Sequence, residues 1–292
     1  MTTFANRLQL IARRGESDAV TSWNELNGLP SLAVTATDVL QLGSLAAQVG
    51  GTVLGRFAEA ADFMATLRTH TAVLDVDEVQ RSLWRAEGVM RRCAGSDDQT
   101  YRTAGIASPA DACRYAGVLA QTLAMRGRFT EALPHMREAT TLCATLPTGD
   151  PVVAQTTVIA SNIGRLAVEH AHRAHELGLA AAEASLVSDG RQSDWRRQHL
   201  AQFAKVRALL TAGRPGEALR NLHGLMDLED AQGAGAFERF HTAALACRAY
   251  HARGDAAQAA RTLEACRDFA KRATANDLRE DLSSLEQLLA SA

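Results

Sequence analysis

Aromatic residues and prolines are scarce in this chain, at 5% and 6 of 292 residues respectively. β-Sheets draw on aromatic and β-branched side chains, so their scarcity argues against a sheet fold. Neither sign of charge dominates: 31 Lys+Arg face 33 Asp+Glu, a net charge of −2. That balance gives no general electrostatic pull toward nucleic acid or an acidic membrane. No apolar run approaches the roughly 18 residues that span a bilayer. The opening MTTFANRLQLIARRGE places its arginines after an amphipathic stretch, the reverse of a secretory signal. The five cysteines, Cys93, Cys113, Cys143, Cys247 and Cys266, are scattered, odd in number and contain no CxxC. A disulfide framework is therefore not expected, and a reducing, cytoplasmic setting is.

Signatures of catalysis are missing too. The sequence has no GxxxxGK[ST] phosphate loop, GxGxxG, GxSxG elbow or HExxH, and no repeated acidic helix motif. A non-enzymatic protein without cofactor is the resulting expectation. What the chain does have is alanine, about a fifth of its residues, within 47% apolar and 22% charged residues overall. Alanine is the best helix former, so the composition reads as a folded, all-α protein.

A repeat is visible at the turns. GRFAEAADFM from Gly55, GRFTEALPHM from Gly127, GRPGEALRNL from Gly213 and GDAAQAARTL from Gly254 share one pattern, with a weaker GESDAVTSWN from Gly15. Each follows one apolar-periodic run and opens another, as a helix–turn–helix hairpin does, the glycine supplying a left-handed residue at no steric cost. Gly15 and Gly55 lie 40 residues apart, Gly213 and Gly254 41, and Gly127 and Gly213 86. The last interval is two units, so a hairpin that has lost its glycine is expected near residue 170. Five residues after the glycines stand Ala60, Ala132, Ala218 and Ala259, and nine after them Met64, Met136, Leu222 and Leu263. Small beside large at helical spacing lets two helices pack closely. Gln48 and Val206 break the pattern where a small residue is expected seven before the turn. The weak Gly15 unit has Val20 where the others have alanine.

This arrangement resembles the tetratricopeptide repeat family, on GRFTEAL and on Asn162-Ile163-Gly164, although units of 40–43 residues exceed the family's usual 34. Longer units are similar to helical-repeat sensor modules of bacterial signalling proteins. The resemblance implies an all-α, right-handed superhelix, a solenoid of antiparallel helix–turn–helix repeats of about 40 residues. About six units and a C-terminal capping helix are expected. The expected organisation is repeats over 1–93, an irregular loop or hinge over 94–108, repeats over 109–275, and a capping helix and tail over 276–292. Within the loop, which has room for a truncated helix, Asp97, Asp98 and Tyr101 are candidate ligand contacts. A tolerated surface insertion is the plainer reading.

Two clusters invite a metal reading. His170, His172 and His175 diverge on any one helix, and Cys247, His251 and Cys266 lack a fourth ligand. Cysteines in alanine slots read better as small core residues, so no metal is expected. Trp23, Trp84 and Trp195 read as anchors between helices. Six residues before the turns stand Gln121, Arg165, Arg207 and Arg248, in step with the repeat. In the family the first helices line a concave groove, which implies that these residues, with Arg114, Ser161, Asn162, Phe203 and His251, bind a partner. Guanidinium groups in a row grip carboxylates bidentately, while an exposed face also needs charge for solubility alone. The expected function is a non-enzymatic groove for a protein or acidic peptide, in an adaptor or regulator. A ligand-responsive sensor and a motif-less helical enzyme are the alternatives. Nucleic acid and membrane are not expected as partners, and spare apolar surface at the ends allows a homodimer.

Overall fold

The computed structural model describes residues 3–190, 194–273 and 278–290, and among these there is no β-strand. The described residues form fifteen α-helices in succession, each packing chiefly on its neighbours in sequence, and the chain divides into two compact units, Met1–Thr145 and Leu146–Ala292. The division between the units falls after Thr145. None of the described helices is long and apolar enough to cross a membrane.

The first unit holds α1 (Phe4–Arg14), α2 (Ala19–Asn27), α3 (Ala36–Leu45), α4 (Phe57–Arg68), α5 (Asp77–Cys93), α6 (Gln99–Gly105), α7 (Pro109–Met125) and α8 (Phe129–Thr145). The second holds α9 (Pro151–Glu169), α10 (Ala171–Asp189), α11 (Trp195–Thr211), α12 (Pro215–Gln232), α13 (Ala236–Ala252), α14 (Ala256–Arg272) and α15 (Leu278–Ala290).

The four strong turn glycines all take the left-handed conformation, with φ of 72° at Gly55, 70° at Gly127, 69° at Gly213 and 75° at Gly254. At Gly127 the Arg128 amide donates to the Leu123 carbonyl and the Gly127 amide to the Ala124 carbonyl. The same pair of bonds recurs at Gly213 and Gly254, closing each helix with a Schellman turn. Gly15 differs: its φ is −56°, and Asp18 instead starts α2 by accepting from the Thr21 amide. The hairpin near residue 170 needs no glycine, because its joint is a single residue, His170, at φ −119°.

The apolar positions counted from the turns form the core. Ala60, Ala132, Ala218, Ala259, Met64, Met136, Leu222 and Leu263 are all buried, as are Val206, Ala120 and Cys247. Each large side chain of this kind contributes about 1.5–3 kcal/mol when removed from water. Gln48 is exposed, and the cause is local geometry. Residues Ala46–Val53 form a π-helix continuing α3, and Arg56 closes it by donating to the carbonyl of Gly50. A π-turn holds more residues than an α-turn, so the small buried residue is Ala46, two places earlier.

The interval 94–108 contains α6. Buried Arg85 anchors it, donating through Nη1 to the Gly105 carbonyl at 2.9 Å and to Asp111 Oδ1 at 2.6 Å. The Tyr115 hydroxyl donates to Asp98 at 2.5 Å, and Tyr101 packs on Trp84 with ring centroids 5.7 Å apart. Asp98 and Tyr101, expected as candidate ligand contacts, are thus engaged internally. Ser108 and Pro109 start α7 as the sequence requires, Ser108 accepting from the Asp111 amide. In α15, Leu278 and Leu285 are buried against α13 and α14, with Leu282 and Leu289 half-covered beside them.

Candidate functional site

The candidate site lies in the second unit. There the first helices of successive pairs touch one another, α9 against α11 and α11 against α13. Small residues on α9 and α10 bring that pair close: a methyl added at Gly178 would stand 2.9 Å from the Ala167 Cβ. The same small side chains leave a cavity of about 390 Å³ among α9, α10 and α11. Ser161, Gly164, Gly178, Ser185, Phe203 and Arg207 are among its lining residues. Asp189 also lines it, largely buried, with the Thr157 hydroxyl 3.2 Å from Oδ1 and 2.8 Å from the Ser188 hydroxyl. Burial raises the Asp189 pKa, against the Thr157 bond and the charge of Arg197.

A second cavity of about 340 Å³ opens between α11 and α13. Its walls are mostly rings: Trp195, His199 and Phe203 from α11, Phe237 and His241 from α13, with Leu200 at the edge. Successive rings meet edge to face or stacked. Trp195 stands perpendicular to His199 at 6.1 Å, and His199 stacks on Phe203 at 6.4 Å. Phe203 meets His241 edge-on at 6.3 Å, and His241 meets Phe237 edge-on at 4.6 Å. The Arg196 guanidinium sits over the Trp195 ring, 5.0 Å from its centroid. Leu200 and Phe203 belong to both cavities, so the two share a wall.

The back of this wall is fixed by a buried polar group. Glu229 on α12 accepts from His199 Nε2 and from the Thr242 hydroxyl of α13, and all three residues are buried. Burial lowers the pKa of His241, with Asp281 and Glu238 opposing and His199 and Arg248 adding to the shift.

Of the residues expected to bind a partner, Ser161, Phe203 and Arg207 line the first cavity and Phe203 also the second. Asn162 and His251 are half-buried, Arg165 and Arg248 exposed, and all four stand outside both cavities. Arg165 pairs with Glu169 at 3.3 Å. Arg114 and Gln121 are half-buried on α7 of the first unit, so the four-membered row is divided between the units. His199, Phe237 and His241 were not foreseen. Their spacing is visible (Trp195, His199 and Phe203 at i, i+4, i+8; Phe237 and His241 at i, i+4), but the adjacency of the two helices is not. Trp195, expected as an anchor between helices, lines the second cavity, and its ring contacts are with His199 and Arg196 of its own helix. Trp23 is an anchor as expected, buried against Phe63 at 5.8 Å.

Among the described residues no three His, Cys, Asp or Glu side chains are grouped to hold a metal ion. His170 and His172 are exposed, while His175 edges the first cavity. Cys247 and Cys266 are fully buried core residues whose thiols burial pushes up, that of Cys266 to about 12. Comparison with known proteins finds no family model that matches this chain and no curated protein that matches its sequence.

Proposed function

We propose that the second unit is a non-enzymatic peptide-binding module of tetratricopeptide-like design, in which a segment of a partner protein lies across α9, α11 and α13. The observation that carries this reading is the shared wall: one helix, α11, offers Leu200 and Phe203 to two adjoining cavities and Arg207 to one of them. Contacts between first helices of successive pairs support solenoid stacking, and on the family's pattern a right-handed superhelix with these helices inward. Arg207 and Arg248 favour a segment bearing carboxylates. An adaptor or regulator in bacterial signalling, working in the cytoplasm, is the role this design suits. Cavities of about 390 and 340 Å³ fall in the range of small-ligand sites, which favours a ligand-responsive sensor as the second reading.

A photo-crosslinking residue at the exposed position of Leu200 tests the module. The expected result in cells of the source organism is one adduct peptide, acidic in composition, lost when Arg165, Arg207 and Arg248 are replaced by alanine. No adduct, or an adduct indifferent to those substitutions in a folded protein, overturns the reading.

A further inference from the structure

We infer that the cavity between α11 and α13 is an anchor subsite for an aromatic side chain of the bound peptide, whose carboxylate two or three residues away pairs with Arg207 and Arg248; the inference rests on the module proposed above. The walls define the guest. Five of the lining residues are rings that meet one another edge to face or stacked, contacts that another ring can extend. Leu200 and Phe237 keep 64% and 47% of their surface exposed at the edges, leaving apolar area for a guest to cover.

Charge selects among guests. Among the described residues Glu238 is the one carboxylate lining this cavity, against the Arg196 guanidinium and two imidazoles. Arg196 already lies over the Trp195 face, so a cationic guest meets like charge at the ring it would prefer. A neutral ring meets no such cost.

Arg207 and Arg248 set the second half of the pattern. Among the described residues neither makes an ion pair, whereas Arg165 on the same face pattern pairs with Glu169. Arg207 follows Phe203 by one helical turn, about 6 Å along the axis, and Arg248 follows His241 by two, about 10 Å. The charge of Arg248 is felt at His241. An extended chain advances about 3.3 Å per residue, so two or three residues span the interval from ring to carboxylate.

The test selects twelve-residue random peptides displayed on phage against the immobilised full chain. The expected consensus is Phe, Tyr or Trp with Asp or Glu two or three positions away. A synthetic peptide of that consensus should lose at least tenfold in affinity with Phe237→Ala, with Leu200→Glu and with Arg207→Ala. Alanine in place of the peptide's aromatic should lose as much, with no further loss in Phe237→Ala. Arg207→Glu should recover binding to a peptide whose acidic residue is lysine. Circular dichroism and melting confirm that each variant folds; the substituted side chains are exposed or partly so, and a failure of one leaves two others. Selected peptides without the aromatic, or affinities indifferent to Phe237→Ala and Leu200→Glu, overturn the subsite and leave the module standing. Selection of no peptide at all removes both.

Discussion

His199 Nε2 lies 2.7 Å from Glu229 Oε1, and that oxygen also accepts the Thr242 hydroxyl, so three helices of the second unit meet at one buried atom. Glu229→Ala strands two donors without an acceptor and should cost about 2–4 kcal/mol. Glu229→Gln keeps an acceptor oxygen and should cost less. Urea unfolding of both variants checks this, and equal midpoints for the two would contradict it. Peptide binding should weaken with stability in the alanine variant, because His199 then loses the contact that orients it in the cavity wall.

Acid should loosen the same region. Burial, the largest influence on His241, holds its pKa below the ordinary 6.5, with Asp281 and Glu238 opposing and His199 and Arg248 reinforcing. The neutral ring is therefore the folded form, and the unfolded chain binds the proton more readily. Stability from this group is complete above pH about 6.5 and is lost as pH falls through that value toward the depressed folded pKa. Melting temperatures of the wild type and His241→Gln, measured from pH 7.5 to 5, should converge on acidification. Parallel curves would show that His241 does not carry the slope.

Arg85 ties α6 to α7, bonding the Gly105 carbonyl of the one and the Asp111 carboxylate of the other. Arg85→Ala removes the donor to the Gly105 carbonyl and the cation paired with Asp111, at a cost of about 3–5 kcal/mol. Arg85→Lys should recover only part, since an ammonium lacks the second guanidinium nitrogen, which donates to Ser82 while Nη1 serves both Gly105 and Asp111. Hydrogen exchange should rise first in Gln99–Gly105; a uniform rise across the unit would mean that the arginine supports the core at large.

Two glycines fail for different reasons. Gly127 has open space around it but a φ of +70°, so Gly127→Ala should cost about 1–2 kcal/mol through backbone strain. Gly50 lies in the π-helix without a positive φ, yet a methyl there would stand 2.3 Å from the Trp23 ring. Gly50→Ala should cost about 1–3 kcal/mol by overpacking. A second change, Trp23→Leu, should offset part of that loss and do nothing for Gly127→Ala. Double-mutant cycles in denaturant read the difference.

The turns were legible because each depends on one residue whose chemistry is unambiguous. Gly127, Gly213 and Gly254 mark their helix ends by a conformation other residues resist, and the alanines and large apolar residues at fixed offsets follow. The π-helix was not legible: Ala46–Val53 reads as ordinary helix until the exposure of Gln48 shows that the register has slipped. α6 was hidden by its length, since its hold on the fold comes from Arg85 and Tyr115, outside it. The row of arginines was visible as a period, but pairing with Glu169 and the division of the chain after Thr145 depend on folding. The aromatic cavity needs α11 and α13 side by side, which no local pattern states.

All five thiols are buried, with burial holding those of Cys93 and Cys266 near 12. A protonated, shielded sulfur hardly reacts with an alkylating reagent, so each becomes modifiable only when the helices around it part. Cys93, Cys113 and Cys143 lie in one unit, Cys247 and Cys266 in the other. The chain thus has its own pair of timers, and mass-resolved alkylation reads how often each half breathes without any label being introduced.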